Sequence, residues 1–330
     1  MENKADAYSI MKDKNYNELK QLIEEHMESF ELKELIGCGG ESYVYKTLIK
    51  NVKRPVALKV IYNDKKHHKN SKEIDIAIKL KDNHVIKSFG MHQIKNDKFN
   101  CDCIVMEYSK LGNIRQFQQN FMKSNNMNES TLCYFASLIL KGLKYCHLSK
   151  IAHYDIKPQN IIIDESLNLK IIDFSISINY KDKNKIKLPH QGTKHYMAPE
   201  VINSEIINTK DLEKVDLYSF GSMLFNLAFG VYPDEFTKEE LEEKIKFLIE
   251  ENKSNYSKYF FDFINKLIEK DINKRINIKQ AMEHYWIKGA EILLDEKEKI
   301  SNANIFLSYL FFDFFPDFNK YICKYNISNN

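Results

Sequence analysis

No C-x-x-C pair and no zinc-ligand spacing occurs in the 330 residues; the six cysteines stand singly at 38, 101, 103, 133, 146 and 323. Such spacing argues against a disulfide framework or a thiolate-held metal and for a reducing compartment, so the expected location is the cytoplasm, with the nucleus as the second option. Net charge is nearly absent: 49 basic and 46 acidic residues leave +3 at pH 7. That balance lacks the basic footprint of a nucleic-acid binder, and no nucleic-acid partner is expected. The opening stretch MENKADAYSIMKDKNYNELK is too polar for a signal peptide, and Glu2 stands where N-myristoylation needs Gly. No apolar run is long enough to span a membrane. The nearest approach, IFLSYLFFDFFPDF over 305–318, is broken by Asp313, Pro316 and Asp317. It reads as a segment packed on the main body or as a partner-binding or regulatory tail.

With 43% hydrophobic residues the chain can bury a large core, and its length exceeds what one core usually fills, so two lobes are expected. Residues 1–29 form an extension, expected to be helical, with Tyr16, Leu19, Leu22, Ile23 and His26 on one face. Alternation from Phe30 to Leu35 and from Val56 to Ile61 predicts strands, and Cys103 to Tyr108 is β-rich. Residues 71–81 read as a helix capped by Ser71. After a polar loop over 123–128, long helices are predicted at about 129–149, 212–229, 237–250, 257–269 and 278–285. The division is therefore 1–29, a β-rich lobe at 30–108, a helical lobe at 109–288 and an aromatic tail at 289–330.

The densest group of polar residues is His153-Tyr154-Asp155-Ile156-Lys157-Pro158-Gln159-Asn160, followed thirteen positions after Asn160 by Asp173-Phe174-Ser175. It offers a carboxylate to orient a hydroxyl, an ammonium to neutralise a phosphate and two oxygen ligands for a divalent cation. Upstream lie Gly37-Cys38-Gly39-Gly40-Glu41-Ser42-Tyr43-Val44 and Val56-Ala57-Leu58-Lys59. Downstream lie Gly192-Thr193-Lys194-His195-Tyr196-Met197-Ala198-Pro199-Glu200, Asp216-Leu217-Tyr218-Ser219-Phe220-Gly221 and Arg275. In this order the set resembles the eukaryotic protein kinases, with glycine-rich loop, strand lysine, catalytic loop, metal motif and closing segment, over roughly residues 30–288. The resemblance implies an α+β bilobal fold, with a small β-rich N-lobe and a larger, mainly helical C-lobe. It also implies transfer of the γ-phosphate of ATP, with Mg2+, to protein substrates.

Residue by residue, the resemblance implies Asp155 as catalytic base, Lys157 at the γ-phosphate, and Asn160 and Asp173 as metal ligands. Lys59 would hold the α- and β-phosphates and be oriented by Glu73, with Asp75 as the fallback. Nucleotide would meet Ile36, Gly37, Gly39, Val44, Ala57, Met106 as gatekeeper, Glu107 and Ser109 of the hinge, and Ile162. Lys157 together with Thr193 is similar to the serine/threonine type, with the Thr193 hydroxyl expected on Asp155 and Lys157. Ser42 and Ser175 replace usual glycines, and Tyr154 replaces the Arg of the His-Arg-Asp motif. The last change removes a clamp for a phosphorylated activation loop, so little dependence on such phosphorylation is expected. Asn113 and Gln159 stand where kinases of basic substrates carry acids; with Lys181, Lys183, Lys185 and Lys187 they suggest acidic or already phosphorylated substrates. Two other readings stay open: a pseudokinase scaffold and a small-molecule kinase of related fold.

Overall fold

A computed structural model describes residues 14–38, 42–62, 71–96, 98–121, 126–251 and 256–290. The glycine-loop tip with Gly39, the start of the N-terminal extension and the aromatic tail lie outside the described residues. The chain forms two compact units, one reaching Asp82 and including Ile86–Tyr108, the other comprising Asn83–Val85 and the chain from Ser109 onward.

In the first unit, helix α1 (Lys14–His26) precedes strands β1 (Phe30–Cys38), β2 (Ser42–Ile49) and β3 (Arg54–Tyr62). Helix α2 (Ser71–Lys79), β4 (Ser88–Lys95) and β5 (Asn100–Glu107) follow. The strands make one antiparallel sheet in the order β1-β2-β3-β5-β4. Period-two alternation in β3 sorts its side chains. Val56, Leu58 and Val60 join Leu19, Ile23 and Met27 of α1 in one core, while Ile61 joins Ile74 of α2 and Ile104 in another. Lys59, two residues from Ile61, therefore faces the α2 side. The α1 stripe differs from the expected one: Leu19, Ile23 and Met27 are buried, Leu22 is half-buried and His26 is exposed. The buried arc centres on Ile23 and leaves His26 at its rim, where the ring meets the Leu22 carbonyl at 3.0 Å.

The second unit is built on two buried helices. Between Ser109 and the first of them lies a helix that periodicity did not reveal, α3 (Ile114–Phe121). Its signal is a reciprocal cap, in which Gln116 N donates to Asn113 Oδ1 at 2.9 Å and Asn113 N donates to Gln116 Oε1 at 3.0 Å. Helix α4 (Glu129–Leu148) follows, capped by Asn128, whose side chain accepts from Thr131 N. Three short ribbons then pair β6 (Ile151–Ala152) with β9 (Ile178–Asn179), β7 (Ile161–Ile163) with β8 (Leu169–Ile171), and β10 (Lys185–Lys187) with β11 (Ile206–Asn208). The short helix α5 (Pro199–Ile202) lies between β10 and β11. Helix α6 (Leu212–Phe229) is apolar around its circumference and is correspondingly buried, ending at Gly230 with φ 75°. Helices α7 (Lys238–Glu251), α8 (Lys258–Leu267) and α9 (Ile278–Glu283) complete the unit. The only tryptophan, Trp286, is fully buried against Phe260 and Phe263, and its indole donates to Glu129 Oε1 at 2.8 Å.

Candidate active site

In the first unit, strand pairing sets the register of the predicted nucleotide residues. Gly37 lies opposite Val44, Val44 opposite Lys59, and Ala57 opposite Met106. Ile36 lies beside Gly37 in β1 and is half-buried. Lys59 Nζ lies 2.5 Å from Glu73 Oε1, and both residues are buried. Asp75, two residues along α2 and so about 200° around it, is exposed. Glu73 is therefore the partner and the fallback is excluded. Glu107 N donates to the Lys87 carbonyl at 3.0 Å, and Glu107 Oε1 accepts from Lys87 N at 2.7 Å.

In the second unit, Ser109 Oγ is occupied by the Ile163 carbonyl at 2.5 Å, and Ile162 sits in β7 one residue before that carbonyl. The β7–β8 hairpin carries Asn160 at its mouth. Pairing of Ile161 with Ile171 continues as Ile172 N donating to Asn160 O at 2.9 Å, which brings Asp173 one residue from that bond. Asp173 has φ 67°, and its Oδ1 accepts from Ser175 N at 3.4 Å. The adjacent Phe174 is buried, its ring 5.0 Å edge-on from that of His153.

The loop over 153–160 hangs from Asp216 of α6. Its carboxylate accepts from His153 N at 2.8 Å, from Tyr154 N at 2.7 Å and from His147 Nε2 at 2.8 Å. Burial alone would raise the Asp216 pKa, but the His147 hydrogen bond and charge and the Tyr154 amide together hold it below the usual carboxylate range. His153 donates from Nε2 to the Ile172 carbonyl at 2.9 Å and accepts from Asp155 N at Nδ1, 3.2 Å, a pattern that selects the Nε2–H tautomer. Tyr154, at φ 73°, donates its hydroxyl to the Pro189 carbonyl at 3.0 Å. Burial first, then the charges of Asp216 and Glu200, push its phenol up, so it remains a donor.

Asp155, Lys157, Asn160 and Thr193 meet around one carboxylate. Asp155 Oδ1 accepts from Thr193 N at 3.0 Å and Thr193 Oγ1 at 2.8 Å. Asp155 Oδ2 lies 2.6 Å from Lys157 Nζ and 3.0 Å from Asn160 Nδ2, and Lys157 Nζ also reaches Thr193 Oγ1 at 2.7 Å. Asn160 Nδ2 further donates to Asp155 O at 2.8 Å, which turns its Oδ1 away from Asp155. Lower in the unit, Arg275 grips Glu200 with two nitrogens at 2.6 and 3.0 Å, with both residues buried.

Residues 30–287 match the family model described as the protein kinase domain. The chain belongs to the protein kinase family. Among its relatives, the serine/threonine-protein kinase pakH of Dictyostelium discoideum is 31% identical over 272 residues, 80% of this kinase-family chain and 50% of pakH. An Aurora kinase of Dictyostelium discoideum is 29% identical over 271 residues, covering 79% of the chain and 66% of that protein. The SNF1-related protein kinase catalytic subunit alpha KIN12 of Arabidopsis thaliana is 27% identical over 267 residues, 79% of the chain and 52% of KIN12. The chain thus spans between half and two thirds of the length of these relatives. Two site features of this kinase-family chain escaped the sequence reading. One is Tyr180, buried with its hydroxyl on the His147 carbonyl at 3.1 Å, and the other is Arg115 of α3. Burial makes Tyr180 part of the core.

Proposed function

We propose that the chain is an ATP-dependent serine/threonine protein kinase, transferring the γ-phosphate of Mg·ATP to hydroxyls of protein substrates. The observation that carries this reading is the Asp155 carboxylate surrounded by Lys157, Asn160 and Thr193. Asp155 orients the acceptor hydroxyl and takes its proton, and Lys157 neutralises the γ-phosphate. Thr193 fixes both groups to the closing segment. Lys59, held by Glu73, meets the α- and β-phosphates. With the Glu107 amide committed to Lys87, the Glu107 carbonyl and the Ser109 amide are the hinge groups assigned to adenine. Ile36, Gly37, Gly39, Val44, Ala57, Met106 and Ile162 supply its apolar and backbone contacts.

Among the described residues no group of three or more His, Cys, Asp or Glu could hold a metal alone. Asn160 Oδ1 and the Asp173 carboxylate fit a hard cation that completes its shell with phosphate oxygens, as magnesium does. Bound there, the ion neutralises phosphate charge and orients it for in-line attack. Serine/threonine selectivity is supported by Thr193 between Asp155 and Lys157 and by the serine/threonine relatives. The test is transfer of radiolabelled phosphate to a generic protein acceptor by wild type, Asp155→Asn and Lys59→Met, followed by phosphoamino-acid analysis. Expected are phosphoserine and phosphothreonine from wild type and losses of at least about 10²-fold in both variants. Equal signal from all three proteins would assign the activity to a contaminant and favour the pseudokinase reading.

A further inference from the structure

Arg115 is a half-buried cation that meets no counter-charge among the described residues. Its NH1 donates to Gln118 Oε1 and its NH2 to Asn226 Oδ1, both at 2.8 Å, and both partners are neutral amides that are themselves buried. It forms no ion pair with the described residues, and with one N–H on each of these amides and one on the Tyr196 hydroxyl, two of the five guanidinium N–H donors remain for a ligand. The buried amides of α3 and α6 hold the planar group in one orientation, which suits bidentate capture of a carboxylate or phosphate.

Its surroundings point to what that ligand is. The guanidinium acts on the hydroxyl of the buried Tyr196, which lies in the closing segment three residues after Thr193. Thr193 in turn bonds Asp155. At about 2 Å rise per residue in this 3-10 turn, plus the length of a tyrosine side chain, Arg115 lies within roughly 15 Å of Asp155. That separation equals about four residues of extended peptide. The nearby Asp234 is engaged by His195 at 3.1 Å. Lys181, Lys183, Lys185, Lys187 and Lys194 are exposed along the segment leading to Tyr196, with Asp182 the one acid among them.

We propose that Arg115 binds an acidic or phosphorylated side chain of the protein substrate, within about four residues of the acceptor hydroxyl. The proposal rests on the protein-kinase reading and names the substrate class that site selects. It takes the acidic preference beyond the exposed lysines to one oriented group.

The test uses the full chain as wild type, Arg115→Lys, Arg115→Gln and Arg115→Glu, with melting temperatures to verify folding. Peptides with one Ser acceptor carry Ala, Glu, phosphoserine or Lys at each flanking position. Binding is measured in parallel with matched peptides whose acceptor is Ala. Wild type is expected to favour Glu or phosphoserine over Ala by about tenfold in kcat/KM and in affinity at one flanking position. The Glu and phosphoserine arms separate carboxylate from phosphate recognition. The ratio should shrink in Arg115→Lys, collapse in Arg115→Gln and invert toward Lys in Arg115→Glu. An unchanged profile in Arg115→Glu, or no acidic preference in wild type, overturns the proposal. Absence of phosphate transfer with Arg115-dependent peptide binding intact would instead refute the kinase reading and keep the anion subsite.

Discussion

Tyr154 shows how a single replacement can exchange one kind of restraint for another. An Arg at this position would offer charge to a phosphate, whereas the Tyr154 hydroxyl offers one neutral hydrogen bond to the Pro189 carbonyl. Nothing has to be added to the chain for that bond to form. Ser177, half-buried, donates to the Phe174 carbonyl at 2.6 Å, and Tyr180 is in the core. Tyr154→Phe should therefore cost about 1–2 kcal/mol of stability, because the Pro189 carbonyl loses its donor, and should lower kcat several-fold. Phosphatase treatment of wild type should leave kcat within about twofold. Urea denaturation and steady-state kinetics measure both. A collapse of activity after dephosphorylation would show that a phosphate, not Tyr154, holds the segment.

Gly221 decides how closely two elements meet. A Cβ there would stand 2.6 Å from Leu267 Cβ and 3.0 Å from Ile268 Cγ2, so α6 and α8 touch only because that position is bare. Gly221→Ala should destabilise the protein by about 1–3 kcal/mol despite the better helix propensity of Ala, read as a fall of several degrees in Tm. A neutral or raised Tm would mean that α8 yields. The long helices were legible because α4, α6 and α8 bury apolar residues over many turns, and their ends differ from the expected ones by only a few residues. Helix α3 was missed because it is short and its polar cap resembles loop composition. The β10–β11 ribbon was missed because its two three-residue strands are about twenty residues apart in sequence, too short for periodicity to show.

Across the second unit, Asp216 gathers α4 through His147, the 153–160 loop through His153 and Tyr154, and, by way of His147, the Tyr180 hydroxyl. Its carboxyl is held below the unfolded value, so the stability it contributes is complete above about pH 4 and is lost as pH falls through the folded pKa. Asp216→Asn should cost about 3 kcal/mol at pH 7, and the gap from wild type should close as the pH is lowered below about 4. Denaturation curves over that range check it, and a pH-independent gap would mean that packing, not charge, is at stake. The spacing from His153 to Asp173 was readable in order, since each member lies on one loop or one hairpin. Arg115 was not readable, because its meaning comes from Asn226, over a hundred residues away and on another helix.

Trp286, sealed against Phe260 and Phe263, also sets what an optical experiment can see. Indole emission from this chain comes wholly from the second unit. Melting of the five-stranded sheet would pass unnoticed in such a trace, and its loss must be followed through tyrosine signals or amide exchange.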